Sequence, residues 1–227
     1  MGIWRNGSAS AWRAEGCGFD SLNAHMNIIY EDENIQVIDK PAGLNSDDFE
    51  KRVHRLDKDT SGILLVAKND RTLAFLQKQF KERKVQKKYI ALVVGHLKYE
   101  KGEIETLLGR APQDRRKQKA FLAQDPGAGS KRQAKTSYQV LQRFENYDLI
   151  EAEPQTGRKH QIRAQLTYLG HPIAGDKLYG FKGQLCPKGL NRQFLHSSFL
   201  KIELPNGETK EFESKLPDDL KKVLEKI

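Results

Sequence analysis

Short apolar segments separated by polar turns recur along this chain and leave few folds open to it. Most of them are too short for a helix and are bounded by residues that favour turns, so the pattern predicts strands. The predicted strands cover residues 27–30, 35–39, 63–67, 89–94, 102–108, 120–123, 136–144, 147–152 and 192–204. Two of the connections, residues 31–34 and 145–146, are short and polar, which predicts hairpins.

Helical periodicity occurs at three places between and after these strands. The first predicted helix is capped by Asn69 or Asp70, the second follows Gly157 and ends at Gly170, and the third opens at Pro217. Many short strands with two or three helices inserted singly predict an α+β fold whose bent sheet is largely antiparallel, with helices packed on it.

One acidic side chain, Asp57, lies among basic residues directly before the apolar run 63–67. Its basic neighbours in the sequence are Arg52, Arg55 and Lys58. A carboxylate at the end of a strand among cations is held ionised and faces solvent or a ligand. On spacing alone, a solvated aspartate in a turn explains the same pattern.

The charge of the chain points to a polyanionic partner. It has 39 basic and 30 acidic residues and a formal net charge of +9. This excess favours nucleic acid over a membrane or an acidic small molecule, although many soluble proteins are mildly basic.

Two segments concentrate the basic residues. Residues 78–88 hold six of them against Glu82, and residues 110–119 hold five against Asp114. The five are Arg110, Arg115, Arg116, Lys117 and Lys119. Since arginines offer forked donors to phosphate oxygens, we expect the second segment to bind a nucleic-acid backbone. The alternative for both segments is a solvated charged surface.

Metal, disulfide and cofactor motifs are absent from the sequence. Cys17 and Cys186 are far apart, and His160, His171 and His196 lack the spacing of a helical zinc site. No apolar run approaches the roughly 18 residues of a membrane span, and the first residues lack a signal-peptide core. We therefore expect a cytoplasmic protein without a metal, a cofactor or a membrane partner.

Residues 1–25 show neither helical nor strand periodicity, and their charges cancel. We interpret them as a disordered extension and residues 26–227 as one catalytic domain. Met26 precedes the first predicted strand, and our hypothesis is that it is the natural start.

Three segments resemble, in order, motifs of the RluA-type pseudouridine synthases. They are YEDENIQVIDKPAGL, HRLDKDTSG and PQTGRKHQIRAQLTYLGHPIAGDKLYG, and the resemblance covers most of the chain from Ile28 to about Leu200. Several long motifs in order are far more specific than one short pattern. The chain departs from the family at residues 45–52, a connection shorter than its relatives usually carry, which puts the substrate contacts made there in question.

The resemblance implies an RNA uridine isomerase of the family's α+β fold, with Asp57 at the floor of a cleft across the sheet. The N-glycosidic bond is broken, uracil turns over, and it is rejoined to ribose through C5, which needs no cofactor. Asp57 is implied as the nucleophile, or as the carboxylate that stabilises or deprotonates the sugar intermediate. Tyr89 is implied to stack on the base and is a candidate for removing the C5 proton, and Arg158 is implied to pair with Asp57.

The implied RNA contacts are spread along the chain. Arg55 is expected to fill the space left by the flipped nucleotide, Lys87 and Lys88 precede Tyr89, and Arg163 is expected to be a surface or phosphate contact. The partner implied is a stem-loop of rRNA or tRNA, bound by a monomer.

Two other functions stay open from the sequence. A non-catalytic RNA-binding protein could keep the fold, and a nucleoside hydrolase or glycosidase would perform half of the isomerisation. Glycosidases normally use two cooperating carboxylates. Only Asp57 stands out here, so we rank the hydrolase last.

Overall fold

Ten strands and three α-helices are formed in the part of the chain that this computed structural model describes, residues 26–125 and 128–227. The strands are β1 (Asn27–Glu31), β2 (Ile35–Lys40), β3 (Ser61–Ala67), β4 (Gln86–Val94), β5 (Lys101–Arg110), β6 (Gln118–Phe121), β7 (Arg132–Arg143), β8 (Tyr147–Pro154), β9 (Leu195–Glu203) and β10 (Thr209–Glu213). The helices are α1 (Asp70–Lys81), α2 (Gln161–Tyr168) and α3 (Asp218–Leu224).

All ten strands belong to one sheet, in which nine follow the order β1-β2-β3-β9-β4-β8-β7-β5-β6. The tenth, β10, pairs with residues 199–203 of β9. Neighbouring strands are antiparallel except β3 and β9, which run parallel for two residue pairs. At this junction Gly62 has a φ of +108°, and a Cβ on it would lie 2.1 Å from the carbonyl oxygen of Ser197. Only glycine allows the two halves of the sheet to approach so closely.

The apolar core is divided between these two halves. One cluster, which includes Ile35, Leu65 and Leu76, joins β2 and β3 to α1. Another, which includes Leu92 and Leu166, lies on the β4 and β8 side with α2. Each fully buried side chain of this size stabilises the fold by about 1.5–3 kcal/mol. The loop that carries Asp57 ends at this junction, where β3 meets β9.

The predicted α+β class with a largely antiparallel sheet is confirmed. The side chain of Asn69 accepts the backbone N–H of Thr72 at 2.9 Å, so Asn69 caps α1 as expected. Gly170, with a φ of +87°, follows the end of α2, and Pro217 precedes α3. Strand β10 was not predicted, because its alternation is short and mostly exposed.

The expectations for residues 1–25 lie outside the described residues. Among the helices that the structure describes, none has the length and apolar character needed to cross a membrane.

Candidate active site

Asp57 lies in the loop between residues 53 and 61, and this loop is fixed from both ends. Before it, the Val53 amide donates to the carbonyl of Leu65 at 2.9 Å, so the chain runs back along β3. After it, the Thr60 amide donates to the carbonyl of Asp57 at 3.0 Å, which closes a turn directly before β3. The sequence of turn formers followed by a buried strand therefore holds the carboxylate at the start of β3.

A buried lysine ties this loop to the neighbouring turn. Lys40 Nζ donates to the carbonyls of Pro41, Leu44 and Lys58 at 2.8, 2.9 and 3.1 Å. Burial lowers its pKa to about 8, although nearby carboxylates act in the opposite sense. Because three carbonyl oxygens satisfy the ammonium, its burial is tolerated and the loop is held in one position.

Asp57 is held by an arginine that sequence reasoning assigned to another role. Arg163 Nη1 donates to Asp57 Oδ2 at 2.7 Å. The other side of the same guanidinium binds Asp176 through two hydrogen bonds, Nε to Oδ2 at 2.7 Å and Nη2 to Oδ1 at 2.9 Å. Burial opposes the charge of Arg163, but the carboxylates of Asp176 and Asp57 raise its pKa overall. One positive charge is thus shared by two carboxylates, and the group keeps a net negative charge.

The expected pairing of Arg158 with Asp57 is wrong. Arg158 lies just before α2, where its Nε donates to the carbonyl of Gln133 at 3.2 Å. Arg163 lies inside α2 and is 6 % exposed, and its guanidinium nitrogens are taken up by Asp57 and Asp176 at the cavity wall. The expectation that Arg163 is a surface or phosphate contact is therefore also wrong. The arginine of GRKHQIR that binds Asp57 is therefore Arg163 and not Arg158.

His160 contributes the second group beside Asp57. Its Nε2 lies 3.6 Å from Asp57 Oδ1, and its Nδ1 lies 3.0 Å from the hydroxyl of Tyr179. That hydroxyl accepts the backbone N–H of Gln118 at 2.6 Å, which fixes Tyr179 beside the histidine ring. Burial lowers the pKa of His160 to about 4, with Arg163 acting in the same sense and Asp57 opposing it.

Oδ1 of Asp57 is the oxygen that stays available. Among the described residues, none donates a hydrogen bond to it, and the Asp57 side chain is 15 % exposed. A carboxylate with one oxygen fixed and the other accessible can attack, stabilise or deprotonate a ligand.

A cavity of about 500 Å³ opens above Asp57. Tyr89 lines it, and burial raises the pKa of this phenol to about 12, so the side chain is neutral at physiological pH. Asp57 also lines a second cavity of about 310 Å³ on its other side. The carboxylate therefore lies where two spaces meet.

Positive charge dominates the larger cavity. Among the described residues that line it, Asp57 is the only carboxylate, and seven are basic. The basic residues are Arg55, Lys81, Arg83, Lys87, Arg158, Lys159 and Arg163. Since Asp57 is already paired with Arg163, the other cations favour an anionic ligand.

The remaining predicted RNA contacts fall in different places. Arg55 is exposed and lines both cavities. Lys88 is not on the cavity wall, and its Nζ lies 3.0 Å from Glu151. In the β5–β6 hairpin, Arg110 and Arg115 are exposed and Lys117 is half-buried, whereas Arg116 binds Asp114 through Nε at 2.9 Å and Nη2 at 2.8 Å. The Gln118–Tyr179 hydrogen bond joins the base of this hairpin to the His160 side of the site.

Sequence reasoning missed the roles of Asp176, Tyr179 and His160. In the sequence, the segment AGDKLYG is only the end of a motif that resembles the family, and His160 is only a histidine without the spacing of a zinc site. The available signal was an aspartate in a glycine-containing turn shortly after an arginine-bearing helix, but the pairing of Arg163 with Asp176 across 13 residues cannot be predicted from spacing alone.

Comparison with known proteins gives a consistent answer. Residues 50–168 match the family described as RNA pseudouridylate synthase. The chain is 34% identical to an uncharacterised RNA pseudouridine synthase of Bacillus subtilis, over 89% of this chain and 73% of that protein. It is 37% identical to a ribosomal large subunit pseudouridine synthase C of Vibrio parahaemolyticus, over 88% of this chain and 68% of that protein.

A solved structure agrees with these sequence relatives. The human RNA pseudouridylate synthase domain containing 1 superposes with a TM-score of 0.77 at 27% identity, over 88% of this chain and 87% of that one. Some curated relatives are longer, and the chain spans only 60% of one from Aquifex aeolicus and 52% of one from Chloroflexus aurantiacus.

Proposed function

Because this chain belongs to the RNA pseudouridylate synthase family and is an isomerase of that family, we propose that it converts uridine in structured RNA to pseudouridine with Asp57 as the catalytic carboxylate. The observation that carries the proposal is the asymmetry of Asp57. Oδ2 is fixed by Arg163 at 2.7 Å, and Oδ1 accepts no hydrogen bond from the described residues.

The reaction balances without a cofactor. The bond between N1 of uracil and C1′ of ribose breaks, and a bond from C5 to C1′ forms. The hydrogen on C5 leaves as a proton, and N1 gains one. Asp57 can attack, stabilise the positive charge that develops on the ribose, or remove a proton from it, and each of these roles requires an ionised oxygen free of a competing donor.

Tyr89 serves as a stacking surface for the base. It lines the cavity beside Asp57, and a base stacked on an aromatic ring gains about 1–3 kcal/mol. Because its pKa is raised to about 12, the phenol is protonated at neutral pH and is a poor base. This supports stacking and argues against Tyr89 as the group that removes the C5 proton.

The ligand is RNA, and large-subunit rRNA is the first substrate to test. Positive charge on the cavity wall supports a phosphate-bearing ligand, and the target base must leave its stack to reach Asp57, which costs a few kcal/mol. The relative from Vibrio parahaemolyticus bears the name of a ribosomal large subunit enzyme. Phosphate contacts along the basic hairpin would offset the cost of flipping.

The test uses the full chain with unmodified large-subunit rRNA and tRNA transcribed in vitro, followed by chemical mapping of pseudouridine at each position. We expect new pseudouridine at defined sites with the wild type and none with Asp57→Asn. The matched control is Asp59→Asn, an exposed acid of the same loop, which keeps the activity.

Three outcomes would contradict the proposal. Release of free uracil without pseudouridine would identify a hydrolase. Absence of pseudouridine from every RNA, with RNA binding retained, would favour a non-catalytic binding protein. Equal activity of Asp57→Asn and the wild type would remove Asp57 from the chemistry.

A further inference from the structure

Lys87 is a buried cation that the reaction described above does not use. It lies on β4 two residues before Tyr89, is 9 % exposed, and lines the larger cavity. Among the described residues, none forms an ion pair or a hydrogen bond with its ammonium, and Nζ lies 5.7 Å from the centroid of the Phe80 ring. Burial lowers the pKa of Lys87 to about 8. A buried charge without a counter-charge is costly unless a ligand provides one.

The neighbouring Lys88 makes the contrast clear. It points away from the cavity, where Glu151 neutralises it at 3.0 Å. Adjacent residues of a strand face opposite sides of the sheet. The chain therefore supplies a carboxylate for the lysine on one face and leaves the lysine on the cavity face unpaired.

Further basic residues line the same cavity as Lys87. Lys81 and Arg83 come from the C-terminal end of α1, and Arg158 comes from the loop before α2. A Cβ on Gly157 would lie 4.0 Å from Lys87 Nζ, so this loop passes directly over the ammonium. Burial lowers the pKa of Arg158, and the nearby guanidinium groups of Arg132 and Arg83 lower it further. Arg83 and Arg158 thus repel each other, and among the described residues that line the cavity the only carboxylate is Asp57, which Arg163 already binds.

We propose that Lys87 is the inner cation of a phosphate-binding subsite in this cavity, with Arg83 and Arg158 at its rim, and that the subsite binds a phosphodiester group of the RNA at the target uridine. The proposal rests on the proposed function for the identity of the ligand. A guanidinium fork matches phosphate oxygens, and a buried ammonium gains more from a full negative charge than from a neutral carbonyl. Lys87 thereby helps to place the target nucleotide beside Asp57.

The test measures RNA binding as a function of salt. Lys87→Met, Lys87→Arg and Lys88→Met are made in the Asp57→Asn protein, so that the RNA is not turned over. The probe is a fluorescein-labelled, unmodified transcript of large-subunit rRNA, titrated over a series of KCl concentrations. Each phosphate contact contributes about 0.7–0.9 to the slope of log K against log salt.

We expect Lys87→Met to weaken binding by about tenfold or more and to reduce the slope by about 0.7–0.9. Lys87→Arg retains the slope, and Lys88→Met matches its parent. Thermal unfolding of Lys87→Met should occur at the same or a higher temperature, because an unpaired buried charge has been replaced by an apolar chain of similar length.

Several results would overturn the subsite. An unchanged slope with weaker binding would assign Lys87 to a neutral contact with uracil. Equal effects of Lys87→Met and Lys88→Met would reflect net charge alone. A lowered unfolding temperature of Lys87→Met would indicate a structural role. Binding is measured with proteins that do not turn the RNA over, so the two proposals fail separately. A wild type that makes no pseudouridine would refute the proposed function, whereas the salt slopes alone decide whether Lys87 contacts a phosphate.

Discussion

Asp176 holds Arg163 by two hydrogen bonds, of 2.7 and 2.9 Å, on the side of the guanidinium away from the catalytic loop. Asp176 is itself fixed, because its Oδ1 accepts the backbone N–H groups of Leu178 and Tyr179, both at 3.0 Å. The turn after residue 175 thereby positions Arg163 so that its Nη1 donates to Asp57.

Asp176→Asn should slow the reaction without weakening RNA binding. The amide keeps the shape of the side chain but loses the charge that orients Arg163, and removing such a supporting partner typically costs about 10–100-fold. Single-turnover rates at saturating enzyme measure the effect. Glu211→Gln, which breaks the exposed pair with Lys201, is the control and should leave the rate unchanged. A full rate for Asp176→Asn would contradict the role of Asp176.

Arg163→Lys and Arg158→Lys should affect different kinetic constants. A lysine at 163 cannot bind two carboxylates in a fixed plane, so we expect kcat to fall by about 100-fold through misplacement of Asp57. A lysine at 158 retains the charge at the cavity rim, and we expect mainly a raised KM. Circular dichroism confirms folding of both variants. A lowered kcat for Arg158→Lys together with a raised KM for Arg163→Lys would contradict this assignment and support the pairing of Arg158 with Asp57 that the resemblance implied.

Much of the fold could be predicted from the sequence, because apolar periodicity and capping residues act locally. The hairpins, the Asn69 cap and the glycine after α2 follow from such local rules. The parallel contact of β3 with β9 joins residues more than a hundred positions apart, and no local pattern encodes it.

The candidate site was predicted only in part, for a related reason. Asp57 and Tyr89 could be named because motifs mark them. Which arginine of GRKHQIR reaches Asp57 depends on the rotation of α2 about its axis. That rotation is set by packing of Ile162 and Leu166 in the core and by the contact with Asp176.

Acid should destabilise the fold through His54. The backbone N–H of Leu65 donates to His54 Nε2 at 3.1 Å, and burial, with Lys87 in support, lowers the pKa of His54 from 6.5 to about 3. The unfolded chain therefore binds the proton first, and stability falls as the pH drops below 6.5. The slope from this group is at most about 1.4 kcal/mol per pH unit.

Urea unfolding at a series of pH values tests this assignment. His54→Gln keeps an acceptor oxygen but cannot be protonated, so its stability should depend less on pH between 6.5 and about 3. If the free energy of unfolding depended on pH equally in the variant and the wild type, the assignment to His54 would be wrong.

Gly62→Ala should be strongly destabilising. The new Cβ would lie 2.1 Å from the carbonyl oxygen of Ser197 at a φ of +108°, and strain plus overpacking cost about 2–6 kcal/mol. Gly43→Ala, with a φ of +94° and open space, should lose only about 1–3 kcal/mol. Gly129→Ala has neither penalty and should be close to neutral. Equal free energies of unfolding for the three variants would refute the close contact at the β3–β9 junction.

Release of tritium from C5 of uridine in RNA tests most directly whether Asp57 drives the isomerisation. RNA transcribed with 5-tritiated uridine is incubated with the wild type, Asp57→Asn and Asp59→Asn, and the label in solvent is counted. We predict release by the wild type and Asp59→Asn and none by Asp57→Asn. Release by Asp57→Asn at the rate of the wild type would contradict the assignment.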